Sequence, residues 1–92
     1  MKLIGRDILK EFIFEHADAR SSISAWIAEV EATVWQSSHD VKARYANASF
    51  LGDGTVIFNI KGNTYRMETR ITYKTPVVMV VWIGTHAEYS KR

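Results

Sequence analysis

Hydrophobic residues recur in this chain at helical spacing up to about residue 45 and at every second position beyond it, so the pattern predicts helices followed by strands. Ile8, Leu9, Phe12 and Ile13 mark a first helix from Arg6 to about His16. Ile23, Trp26, Ile27, Val30 and Val34 fall at i, i+3, i+4, i+7 and i+11, which predicts one apolar stripe on a longer helix. Glu29 and Glu31 stand on its other side. Ser37 or Ser38 suits the N-cap of a short third helix through Asp40 to Tyr45. Ahead of all these, Met1 to Ile4 reads as a short edge strand.

The second half changes period. Gly52-Asp53-Gly54 predicts a turn, and Gly62-Asn63 a two-residue hairpin connection. Between them Val56, Phe58 and Ile60 share one face, with Ile57, Asn59 and Lys61 on the other. In the next strand Tyr65, Met67, Thr69, Ile71 and Tyr73 alternate with Thr64, Arg66, Glu68, Arg70 and Thr72. Thr75-Pro76 breaks that strand. Val77 to Ile83 is apolar on both faces, as a strand covered on both sides would be. The expected fold is α+β: a small, twisted antiparallel sheet with N-terminal helices packed on one face and a partly polar second face.

Size and composition narrow the classes. Ninety-two residues suit a single domain spanning 1–92, with no linker, repeat or low-complexity segment. At 47% hydrophobic and 24% charged the chain is globular in composition. No apolar run approaches the roughly 20 residues of a membrane span. Arg6, Asp7 and Lys10 follow the short apolar start too closely for a signal peptide. With no cysteine there is no disulfide scaffold, and a cytoplasmic setting is expected. His16 and His39 are isolated and no metal-ligand spacing occurs, so neither a metal nor another cofactor is expected.

Charge adds a direction. Residues 1–40 carry a balance of −3 and residues 41–92 a balance of +5. Such asymmetry suits a polyanion on the strand half and something else on the helical half. Lys61, Arg66 and Arg70 are expected to project together across the hairpin, where opposed residues lie about 5 Å apart. Like charges that close repel unless something negative binds, and a phosphodiester is the obvious candidate. Glu68, between Arg66 and Arg70, offers the alternative of a surface ion-pair ladder worth ~0–1 kcal/mol per pair.

Three blocks carry a resemblance. They are Ala25-Trp26 through Trp35, the run from Ile57 to Arg66 containing FNIKGNTYR, and the run from Trp82 to Tyr89 containing GTHAEY. Together they make the chain resemble the HigB group of bacterial type II toxins, within the wider RelE/ParE-like toxins. The resemblance implies the RelE-like fold and a metal-independent endoribonuclease that cuts messenger RNA at the ribosome. It implies as partners a HigA-type helix-turn-helix antitoxin, the ribosome and mRNA, with operator DNA bound through the antitoxin.

In that chemistry a 2′-hydroxyl attacks the adjacent phosphate and expels the next 5′-oxygen, which requires a base, an acid and cations. Arg66, matching the arginine of the YR motif, is expected to hold the phosphate, because a guanidinium fork suits its oxygens. Lys61 matches a position often basic in RelE-type relatives and could act as base or electrostatic clamp. His86 and Tyr89 complete the catalytic candidates, with His86 the natural proton exchanger. Arg70, Lys74 and Lys91 are then RNA-backbone contacts.

The same residues also have plainer readings. His86 could cap a terminal helical turn starting at Thr85, and Tyr89 could pack on the sheet. Trp26, Trp35 and Trp82 fall on apolar stripes and are expected in the core. Ser90 departs from the pattern, which commonly has an aspartate there, and the tail after Tyr89 is shorter than in many relatives. A non-catalytic RNA-binding module, an inactive relic of the toxin and a gyrase-poisoning toxin of the same fold are the alternative functions.

Overall fold

Val56, Phe58 and Ile60 do enter the core together, and Phe58 is its hub. Its ring meets Trp26, Trp35 and Tyr45 at centroid distances of 5.4, 6.4 and 5.2 Å. Around it the computed structural model, which describes residues 1–92, arranges four helices and a five-stranded sheet. In chain order these are β1 (Lys2–Ile4), α1 (Arg6–Glu15), a 3-10 turn (Ala17–Ala19), α2 (Arg20–Ala32) and α3 (Ser38–Arg44). There follow β2 (Ser49–Phe50), β3 (Thr55–Ile60), β4 (Tyr65–Thr72), β5 (Val77–Thr85) and α4 (His86–Ser90). No helix is long and apolar enough to cross a membrane.

The sheet order is β1-β5-β4-β3-β2. All pairings are antiparallel except β1 with β5, which run parallel, so the expected antiparallel sheet gains one parallel edge. Gly5 allows the chain to leave that edge directly into α1. Its φ is +98°, and a Cβ there would lie 2.7 Å from the Val80 carbonyl oxygen.

The helices before the sheet cover the face that presents Val56, Phe58, Tyr65, Met67, Ile71, Val78 and Val80. Leu9 and Phe12 of α1 and Ile23, Trp26 and Val30 of α2 supply the other half of the core. The long stripe stops earlier than its period suggests. Helix α2 ends at Ala32, the backbone is extended at Thr33, and Val34 is 63% exposed. Trp35 turns back into the core instead.

The opposite face holds Ile57 and Asn59 of β3, Arg66, Glu68 and Arg70 of β4, and Met79 of β5, as their pairings require. Two expectations fail here. Val77 to Ile83 is covered on one side only, since Met79 and Val81 are each 39% exposed on the outer face. Trp82 is absent from the core, because a bulge in β5 aligns Thr69 with Val80 but Glu68 with Trp82. One extra residue inverts the faces beyond it: Ile83 turns inward and Trp82 outward.

Candidate RNA-binding face

Arg66 sits on β4 directly between Asn59 of β3 and Gly84 of β5, on the outer face. Its guanidinium carbon lies 5.2 Å from the centre of the Tyr89 ring. Its Nε is buried and has no hydrogen-bond acceptor, and Arg66 makes no salt bridge. The guanidinium is thus held against an aromatic face and paired with no carboxylate.

Tyr89 reaches Arg66 because the tail folds. Thr85 begins helix α4 with a capping box: its hydroxyl accepts from the Glu88 N–H at 3.1 Å, and the Glu88 carboxylate accepts from the Thr85 N–H at 2.8 Å. The Thr85 backbone N–H, and after it the Thr85 hydroxyl, hold the Glu88 carboxyl below the usual carboxylate range. The short helix lies against β4 and β5, on the face opposite the other helices, and Tyr89 packs 6.2 Å from Trp82. Ile57, on that outer face, is buried to 2% exposure, beside a groove that Tyr89 and Arg92 help to line.

His86 is the first residue of α4 and exposed, its backbone N–H bonded to the Thr64 carbonyl at 3.2 Å. It belongs to the terminal helical turn, but Thr85 is the cap. Standing three residues before Tyr89, it is a neighbour of that ring on the helix surface. Lys91 closes the same helix and is exposed.

Lys61 does not join this group. The hairpin loop is four residues, Lys61 to Thr64, rather than two, because the ladder closes with Ile60 opposite Tyr65. Lys61 has left-handed backbone with φ +53°, and its Nζ donates to Asp18 at 2.9 Å. The Tyr65 hydroxyl donates to the same carboxylate at 2.7 Å, and Tyr65 belongs to the helix-covered face. These two partners, Tyr65 first, hold Asp18 below the usual carboxylate range. Asp18 thus draws Lys61 away from Arg66 and Arg70.

Glu68 does not bridge Arg66 and Arg70 either. It pairs with Arg92 at 2.6 Å. Arg70 lies four residues along β4 from Arg66, about 14 Å away on the same face, exposed and without an ion pair. Lys74 sits in the β4–β5 turn, at the far end of the strand from Arg66. Trp82, expected in the core, lies on this outer face instead, and no local spacing signals that Asp18 pairs with Lys61 or Arg92 with Glu68.

No curated protein matches this chain. The model of the HigB toxin family, described as the RelE-like toxic component of a toxin-antitoxin system, matches residues 19–92. That span includes the hairpin, the bulged strand and the capped tail that together frame Arg66. The chain therefore belongs to the HigB toxin family, as the toxic component of a toxin-antitoxin system whose partner is an antitoxin.

Proposed function

We propose that this toxin is a ribosome-dependent mRNA endoribonuclease restrained by a HigA-type helix-turn-helix antitoxin. The observation that carries the reading is Arg66, aimed by Tyr89 with its buried Nε unpartnered on an outer sheet face. A scissile phosphate would accept from that guanidinium. The 2′-oxygen forms a bond to phosphorus while the bond to the 5′-oxygen breaks, leaving a 2′,3′-cyclic phosphate and a 5′-hydroxyl. The proton lost from the 2′-hydroxyl goes to a base, and the leaving oxygen receives one from an acid.

His86 is the proton-exchanging candidate beside Tyr89, since an imidazole works in both directions near neutral pH. Tyr89 orients Arg66 and carries a hydroxyl at the same place. Arg70 and Lys91 extend the positive surface for the RNA backbone, with Lys74 a more distant contact. Lys61 belongs to this scheme only as a peripheral charge, given its pairing with Asp18. The less basic helical face is left for the antitoxin.

The test is to map mRNA 5′ ends after a brief pulse of toxin without antitoxin, beside Arg66→Ala. New ends inside translated frames, dependent on translation and absent in the variant, are expected. Growth arrest without new ends would point to gyrase, and no arrest to a binding module.

A further inference from the structure

Trp82 is built into the outer face by two separate features. The bulge in β5 rotates it out of the core, where unbroken alternation with Val78 and Val80 would have placed it. Gly84 then makes room for the ring, since a Cβ at that position would meet the indole at 2.4 Å. One face of the indole is thus laid against the strand. Near it stands the guanidinium of Arg92, 4.4 Å from the ring, with Glu68 holding Arg92 at 2.6 Å. Gly84, beneath the ring, is the residue paired with Arg66. An aromatic plane therefore lies one step along the sheet from the cation proposed to bind phosphate.

We propose that Trp82 is a nucleobase-stacking platform. It receives the base of a nucleotide whose phosphate is held at Arg66, and so rests on the phosphate-binding role proposed above. Arg92 is the displaceable cover: a long side chain at the surface, held by its contact with the indole, which a base would take over, and by one ion pair that RNA phosphate can replace. Stacking uses the π-face common to all bases, so this subsite accepts any base and supplies affinity rather than sequence choice. A groove of about 510 Å³ on the same face, whose lining includes Ile57, Glu68, Tyr89 and Arg92 but not Trp82, gives the strand a path.

The experiment compares binding of an uncleavable 2′-O-methyl RNA heptamer with heptamers carrying one abasic residue at successive positions. Wild type, Trp82→Phe and Trp82→Leu are titrated, with circular dichroism confirming each fold. Wild type is expected to lose roughly 5- to 150-fold in affinity for one abasic position. Trp82→Phe should keep most of that discrimination, and Trp82→Leu should bind the two RNAs alike. Quenching of tryptophan emission by the intact heptamer should vanish in Trp82→Phe. If Trp82→Leu discriminates as wild type does, or wild type ignores the missing base, the platform is refuted. Trp82-dependent discrimination without new mRNA ends in cells would sink the nuclease reading and leave the platform standing.

Discussion

The Arg66 guanidinium and the Tyr89 ring form a stacked pair 5.2 Å apart, joining the start of β4 to the tail helix α4. Removing the ring should free the guanidinium to wander. Tyr89→Ala is expected to weaken binding of an uncleavable RNA by roughly two- to thirty-fold. Tyr89→Phe keeps the ring and should bind within about two-fold of wild type by the same stacking argument. Cleavage lost in Tyr89→Phe with binding intact would assign the hydroxyl a proton-transfer role instead.

Lys61→Ala is expected to cleave RNA nearly as well as wild type, because its ammonium is engaged by Asp18 away from Arg66. The pair is exposed, so its loss should shift the melting temperature little. A folded Lys61→Ala protein with abolished cleavage would return Lys61 to the catalytic group.

Stability should fall at both ends of the pH range. Asp18 and Glu88 are lowered in the folded state, Asp18 by Tyr65 and then Lys61, Glu88 by the Thr85 backbone. Their stabilisation is present above the unfolded carboxyl value of about 4 and disappears as pH drops through the folded values. Tyr45 is pushed up to about 12 by burial and then by Glu29, and Tyr65 is raised by its bond to Asp18. A raised phenol costs nothing below its unfolded value of about 10 and destabilises as pH climbs beyond it. Urea midpoints should therefore decline below about pH 4 and above about pH 10. Asp18→Asn should flatten the acid limb and Tyr45→Phe the alkaline one.

Phe58 is fully buried among three aromatic rings, Trp26 of α2, Trp35 of the loop after it and Tyr45 just past α3. Phe58→Ala is expected to cost about 3–5 kcal/mol by denaturant titration, through lost burial and the cavity left behind. A cost below about 1 kcal/mol would mean that the neighbouring rings collapse into the space.

Local periodicity makes much of this protein legible in its sequence. Helices α1 and α2, strands β3 and β4, and the separation of Phe58 from Arg66 all follow from spacing that the backbone itself imposes. The terminal turn in the GTHAEY run was legible too, although Thr85, boxed with Glu88, caps it and His86 does not. Arg66 on a partly polar strand face was visible for the same reason.

Contacts between distant residues decided the rest. The direction of Lys61 depends on Asp18, 43 positions earlier, and on left-handed backbone at the hairpin. The face of Trp82 depends on one bulged residue, which reverses alternation without changing composition. The tail reaches Arg66 only because β5 delivers it beside β4, where Tyr89 finds the guanidinium and Arg92 finds Glu68. Sequence alone determined the main helices and strands, though not the end of α2 or the short β2, and that a cation lies on an outer face. Tertiary structure alone decided which side chains surround that cation, because turns, bulges and ion pairs are settled by partners far away along the chain.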